Sequence, residues 1–298
     1  MKLVIKIFAL LFLFGASFSI NAKEVIEIQP IFEYPVTPEE LESLEDRCNY
    51  LVKHFWDNFD FKNKQSVDQY ALNEAMQVYV SSLQYASYKE GEQSLNNLIN
   101  KISSSPLLLL QFTKAAEENL YGPRALFWSD PLYLKFLDAV AKNKKISPQR
   151  KEKYLSQAQS LRKSMEDMVA PSFKFTDQNG ETKNYFPMST PTLLIFGEPD
   201  DTDWRLQRLK MESNFKLQDA LDKGKLNILY IVPAEIPDLK NQTSNYNKHW
   251  TLGQSAEIKK DYDIRLNPSV YLVGSDGKIR NKNISIEEAV ANALQLLN

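Results

Sequence analysis

Residues able to do covalent or metal chemistry are few in this chain. There is one cysteine, Cys48, and there are two histidines, His54 and His249. A lone cysteine cannot form an intramolecular disulfide. Cys48 also falls in the series Leu41, Leu44, Cys48, Leu51, Val52, Phe55, the apolar face of a helix, so it is expected to be a small buried hydrophobe rather than a reactive thiol. Neither histidine belongs to an H-x-x-x-H or H-E-x-x-H pattern. His54 is expected to be a partly buried helix residue and His249 a surface residue of a linker. The densest acidic group is Glu198, Asp200, Asp201 and Asp203. Its spacing departs from the D-x-D-x-D-G calcium loop, and it stands where a helix begins, so one carboxylate is expected to cap that helix. No G-x-S-x-G elbow, phosphate loop or G-x-G-x-x-G fingerprint occurs. We assign no catalytic residue, no metal and no cofactor. Asn241-Gln242-Thr243 and Asn283-Ile284-Ser285 match the glycosylation acceptor pattern, which matters only in a eukaryotic host.

The elements that would carry these residues begin with a leader. Lys2 and Lys6 precede an unbroken apolar run, Ile7 to Phe14, and small residues follow up to Ala22. That order is a secretory signal peptide over 1–22, cleaved near Ala22, giving a periplasmic or extracellular protein with no membrane span after cleavage. Cleavage removes two lysines and no acids, which moves the formal charge from −2 to −4. With that balance and no basic tract, nucleic acid is not expected as a partner. The chain has 298 residues, 43% hydrophobic and 25% charged, enough for one large or two ordinary packed domains. Nothing in it indicates an oligomeric state.

Residues 23–37 read as an extended, proline-punctuated arm. Thr37-Pro38 is expected to open a helix running to about Trp56, with Glu39 and Glu40 in its first turn. Residues 38–169 then read as an all-helical domain. Leu72, Ala75, Met76, Tyr79, Val80 and Leu83 form one stripe, and Ser105-Pro106, Asp130-Pro131 and Ser147-Pro148 start further helices. At Ala170-Pro171 the period changes. Over 170–298 we expect a hairpin around Asp177–Gly180, strands at 192–196 and 226–232, a helix at 201–221 between them, a hairpin over 269–282 and a last helix from Ile286.

Three strings in the second half resemble the exported thiol-disulfide oxidoreductase and peroxiredoxin-like branch of the thioredoxin fold: "APSFKFTDQNGETKNY" (170–185), "TLLIFGEPDDTDW" (192–204) and "YDIRLNPSVYLVGSDGKI" (262–279). "RCNYLVKHFWDNFDF" (47–61) is similar to the start of a helical domain of unknown function found ahead of such domains in exported bacterial proteins. The resemblance implies a two-domain chain of α+β/α/β class: an all-α domain, then a thioredoxin-like mixed sheet with helices on both faces. On the family pattern the two cysteines of Cys-x-x-Cys fall at Asp201 and Trp204, and the cis-proline at Pro268. Thiol-disulfide exchange needs an attacking thiolate and a resolving thiol, and neither sulfur is present. Asp201, Trp204 and Pro268 are therefore carried forward as binding positions. Trp204 would either pack in the core or serve as an apolar contact for an extended peptide paired along the strand edge after Pro268. Three readings follow in order: a redox-inactive protein that binds a peptide or protein partner, a scaffold acting through the helical domain, and a thiol-disulfide oxidoreductase with a residual redox role.

Overall fold

The structure is a computed structural model that describes residues 30–63, 66–187 and 189–297. The leader expected over 1–22 lies outside the described residues. No helix among the described residues is long and apolar enough to cross a membrane.

Among the described residues, six helices make the first half: α1 (Leu44–His54), α2 (Gln69–Leu83), α3 (Tyr88–Ile102), α4 (Pro106–Leu120), α5 (Asp130–Lys142) and α6 (Pro148–Lys163). Their starts follow cap chemistry. Ser43, Asp68, Ser87 and Ser105 each accept a hydrogen bond from a backbone N–H of the first turn, and α4, α5 and α6 carry proline there. The expected helix start at Thr37 is corrected to Leu44. Pro38 makes only a single turn, in which the Leu41 N–H donates to the Pro38 carbonyl, and Ser43 is the residue whose hydroxyl caps. The stripe of α2 faces the centre of one apolar cluster with Phe55, Trp56, Leu95, Phe112, Phe136 and Leu161. The arm is tied into that cluster, because Phe32 and Tyr34 pack on the Phe55 ring at 5.6 and 5.1 Å between centroids.

The second half is a seven-stranded mixed sheet of order β2-β1-β5-β4-β3-β6-β7. Its strands are β1 (Phe173–Asp177), β2 (Thr182–Tyr185), β3 (Thr192–Phe196), β4 (Asn227–Val232), β5 (Thr251–Gln254), β6 (Ser269–Val273) and β7 (Ile279–Lys282). β3, β4 and β5 run parallel; β6 is antiparallel to β3. Helices α7 (Thr202–Glu212), α8 (Phe215–Asp222) and α10 (Ile286–Gln295) cover the face presenting Leu193, Ile195, Tyr230 and Val270. The opposite face, with Leu194, Phe196, Ile231 and Tyr271, packs on Phe173, Phe175, Tyr262 and the 3₁₀ turn at Ala256–Lys260. A four-residue helix, α9 (Leu239–Gln242), lies in the crossover.

Two differences from the expected elements have local causes. The helix expected over 201–221 is broken at Ser213-Asn214, where the Asn214 side chain caps a new helix by accepting from the Leu217 N–H at 3.1 Å. The stretch expected to be a linker contains β5, and Trp250 just before it is buried. Four residues containing a glycine are too short to show alternation, yet Gly253 is required there: a Cβ would lie 2.3 Å from the Phe175 ring.

Candidate functional site

The acidic group sits at the end of β3, in the loop that feeds α7. Asp201 is the cap of α7: its Oδ1 accepts from the Trp204 N–H at 2.7 Å. The free N–H groups and dipole of a helix start favour a negative group, which is the reason a carboxylate is stable here. Asp200 pairs with Arg205 at 3.2 Å on the exposed surface, a contact that contributes little.

Across from this loop the Asn267–Pro268 peptide bond is cis. The main chain at the end of β3 meets the side chains of Asn267 and Pro268. The Glu198 N–H donates to Asn267 Oδ1 at 3.0 Å, and a Cβ on Gly197 would stand 3.2 Å from Pro268 Cβ. Glycine at 197 is therefore what lets Pro268 approach the end of β3. Asp201, whose N–H donates to the Glu198 carbonyl, and Pro268 flank this contact; Asn267 and Glu198 are exposed and Pro268 is buried.

Trp204 goes elsewhere. It is fully buried, stacked on Tyr230 with 5.1 Å between centroids and 3° between planes, and its Nε1–H donates to Tyr246 Oη at 2.8 Å. Tyr230 in turn donates to the Gly197 carbonyl at 2.8 Å, and its phenol is pushed far up by burial. Of the two readings of Trp204, the core one matches this placement; the apolar ligand contact does not. The indole supports the helix start from beneath.

The strand after Pro268 also corrects an expectation. β6 is hydrogen-bonded on one side to β3 and on the other to β7, so it has no free edge for a peptide. The exposed residue beside it is Asn267; Pro268 itself is buried.

The residues leading into Pro268 contain a cluster of buried charges not anticipated from sequence. Asp263 and Arg265 are almost wholly buried and paired with each other. Arg265 also reaches Asp130 of α5 at 2.5 Å, and Lys282 of β7 lies 2.6 Å from Asp130 and 2.9 Å from Asp263. The Tyr121 hydroxyl donates to Asp263 Oδ1 at 2.7 Å, and the Arg265 guanidinium lies 4.1 Å over the Tyr121 ring and 5.3 Å from that of Trp128. Burial alone would raise the Asp263 carboxyl, but the Lys282 ammonium and Arg265 guanidinium override it and hold the group below its ordinary range. Asp130, Tyr121 and Trp128 come from the helical half; Asp263, Arg265 and Lys282 from the sheet half. A signal was present but pointed the wrong way. Tyr262, Ile264 and Leu266 alternate with Asp263 and Arg265, which reads as a strand with one wet face. That face meets the helical half instead of water.

Cys48 is buried inside the helical half, and burial pushes its thiol up, away from the thiolate. His54 pairs with Asp57 at 2.9 Å and His249 with Asp222 at 3.1 Å, both near the surface. Asn283 is 3% exposed, so its glycosylation pattern is not presented to solvent.

A sequence profile of the family described as domain of unknown function (DUF5106) matches residues 16–164, half of the chain. The chain belongs to the DUF5106 family. Among solved structures, a thioredoxin-like protein from Bacteroides caccae covers 90% of this chain and 99% of its own, at 20% identity and a TM-score of 0.73. That similarity gives this DUF5106 protein its fold: helical half and thioredoxin-like half in one arrangement. The C-terminal domain of a Bacteroides fragilis protein covers 45% of the chain and 99% of its own at 24% identity, with a TM-score of 0.40. A peroxidoxin from Mycobacterium tuberculosis covers 45% and 96% at 12% identity and 0.37. A comparison with curated proteins finds no match. With Cys48 the one cysteine in the sequence, the thioredoxin-like half of this DUF5106 protein contains no thiol.

Proposed function

We propose that this protein is exported, is redox-inactive, and binds an extended peptide or a protein partner at the mouth formed by Asp201, Glu198, Asn267 and Pro268. The observation that carries this reading is the occupancy of the helix start. A capping carboxylate at Asp201 and a buried indole at Trp204 stand where the family resemblance would place two sulfurs, while Asn267 is exposed near the same loop. Trp204 belongs to this site as its support, not as a surface a partner touches.

Three measurements test it. With dithiothreitol as reductant, the mature chain is expected to reduce a model peptide disulfide no faster than the reductant alone. Turnover that disappears in Cys48→Ala would overturn the redox-inactive reading. Binding is read by amide hydrogen exchange with a carboxymethylated, permanently unfolded protein as the extended-chain probe. Protection over 198–203 and 265–268 is expected; protection confined to the helical half would support the scaffold instead. Mass spectrometry of the native product should find an N-terminus near Lys23, and an intact leader would contradict export with cleavage.

A further inference from the structure

Helix α7 presents an apolar seam to solvent on the side away from the sheet. Its buried side is set by Trp204, Arg208 and Met211, which follow one another at steps of four and three residues. Thr202, Leu206, Leu209 and Ser213 repeat that spacing on the opposite side of the helix, so they lie along its outward face. Leu206 is 58% exposed and Leu209 52%, where a helix laid on a sheet is expected to be polar. Small residues at the two ends of the seam leave room for another helix to approach, and the Ser213 hydroxyl is already spent on the Leu209 carbonyl.

Exposed leucines scattered singly need no explanation. What distinguishes this pair is the charge set around it. Alternating steps of four and three make the seam of a two-helix coiled coil, in which the residues beside the seam choose the mate and its orientation. With Leu206 and Leu209 as central contacts, Asp203 and Lys210 stand on one flank, and Arg205 and Glu212 on the other. Asp203, Arg205 and Lys210 are exposed, and neither Asp203 nor Lys210 takes part in an ion pair among the described residues. In a parallel pair of such helices, Arg205 of each would face Lys210 of the other, a repulsion made twice. In an antiparallel pair each flank meets its own counterpart, so Asp203 faces Lys210 of the second copy and Arg205 faces its Glu212. Every flank contact then joins opposite charges. The Arg205 contact is the weaker one, because Glu212 already holds Arg208 at 2.8 Å.

We propose that α7 is a self-association surface: two copies of this chain pair antiparallel through Leu206 and Leu209, with Asp203 of each against Lys210 of the other. A two-fold contact needs one patch that is complementary to itself, and this charge order supplies it. Two leucines from each copy are a small patch, which places the pair among weak, transient interfaces. Asp201 and Pro268 take no part, so the inference stands apart from what binds at the mouth.

Sedimentation equilibrium of the full mature chain from about 10 μM to about 1 mM covers the affinities of that class. A reversible equilibrium of monomer and dimer is expected. Leu206→Asp, at a position outside the apolar core, should weaken it about tenfold or more, the scale of one apolar side chain taken out of contact. Asp203→Lys and Lys210→Asp should each weaken it by about tenfold or more as well, since either sets like charges together at both contacts. An equimolar mixture of these two variants should dimerise again, because opposite charges then meet at every contact, and that recovery also shows both to be folded. A chain that stays monomeric throughout would overturn the proposal and leave the seam to a different protein or to water. So would a dimer that none of the substitutions weakens, or a mixture of the two charge variants that stays monomeric.

Discussion

Asp201 and Trp204 lie three residues apart on the first turn of one helix, and they hold it from opposite sides. The carboxylate satisfies a main-chain N–H at the solvent end, while the indole fills the space between α7 and the sheet. Their replacement should therefore separate cleanly. Trp204→Ala removes a fully buried aromatic and its bond to Tyr246, so unfolding in urea should show a loss of about 3–5 kcal/mol. Asp201→Ala should cost only about 1 kcal/mol, the usual worth of a cap. A Trp204→Ala protein as stable as wild type would mean the indole is not part of the core. The cap was legible from residue type, because an aspartate run before a helix has a standard use. Core packing of the indole was one of two readings from sequence, and the structure agrees with it; a tryptophan one turn into a helix can also face outward.

At the level of elements, periodicity located long and uniform segments and missed short ones. The strands at 192–196 and 269–273 stand where their short, mostly apolar runs put them. β5 escaped because it has four residues and its identity depends on a neighbour in space: Phe175 crosses over Gly253. Gly253→Val tests that dependence. The new side chain must displace Phe175, and overpacking of this kind costs about 1–3 kcal/mol. Urea unfolding should show that loss, and amides of β1 and β5 should exchange faster than those of β3 and β4. Unchanged exchange in β5 would mean the pairing of β1 with β5 does not rest on this contact. The occupied edges of β6 carry a related lesson. A run of apolar residues after a proline looks the same whether its edge is free or paired, so only the sheet order decides where a peptide can add.

For the whole molecule, the buried charges matter most, because they lie where the apolar cluster of the helical half meets the sheet half. Asp263 sets an acid limit on that joint. Its carboxyl is held below the unfolded value of 3.8, so its contribution is complete above that pH and is lost as pH falls through the lower, folded value. Asp263→Asn leaves Arg265 and Lys282 short of a counter-charge, at a cost of about 3–5 kcal/mol near neutrality. The gap in urea midpoint between wild type and this variant should narrow below pH 3.8; a gap that stays constant would show that Asp263 is not ionised in the fold. The joint also governs dissection. Residues 167–170 pair with the last hairpin, where the Asp167 N–H donates to the Ile279 carbonyl and the Ile279 N–H to the Met168 carbonyl. A fragment of 166–298 is expected to unfold cooperatively but at lower urea than the full chain, having lost Asp130. One of 170–298 should be weaker still. Equal midpoints for the three would mean that neither the charges nor the edge pairing contributes.

The joint bears on inheritance as well. Asp130 is more than a hundred residues from Arg265 and Lys282, yet none of the three can change its charge without stranding another in a dry interior. A recombination event between the two halves would bring together an acid and bases that had not been selected as a set. Exchange of the thioredoxin-like half for one lacking both cations would bury an unpaired aspartate against Tyr121 and Trp128. Such a hybrid would fold poorly unless position 130 changed in the same step. The two halves are therefore expected to travel through descent as a pair, and a chimera made without regard to these three positions should be recovered by Asp130→Asn.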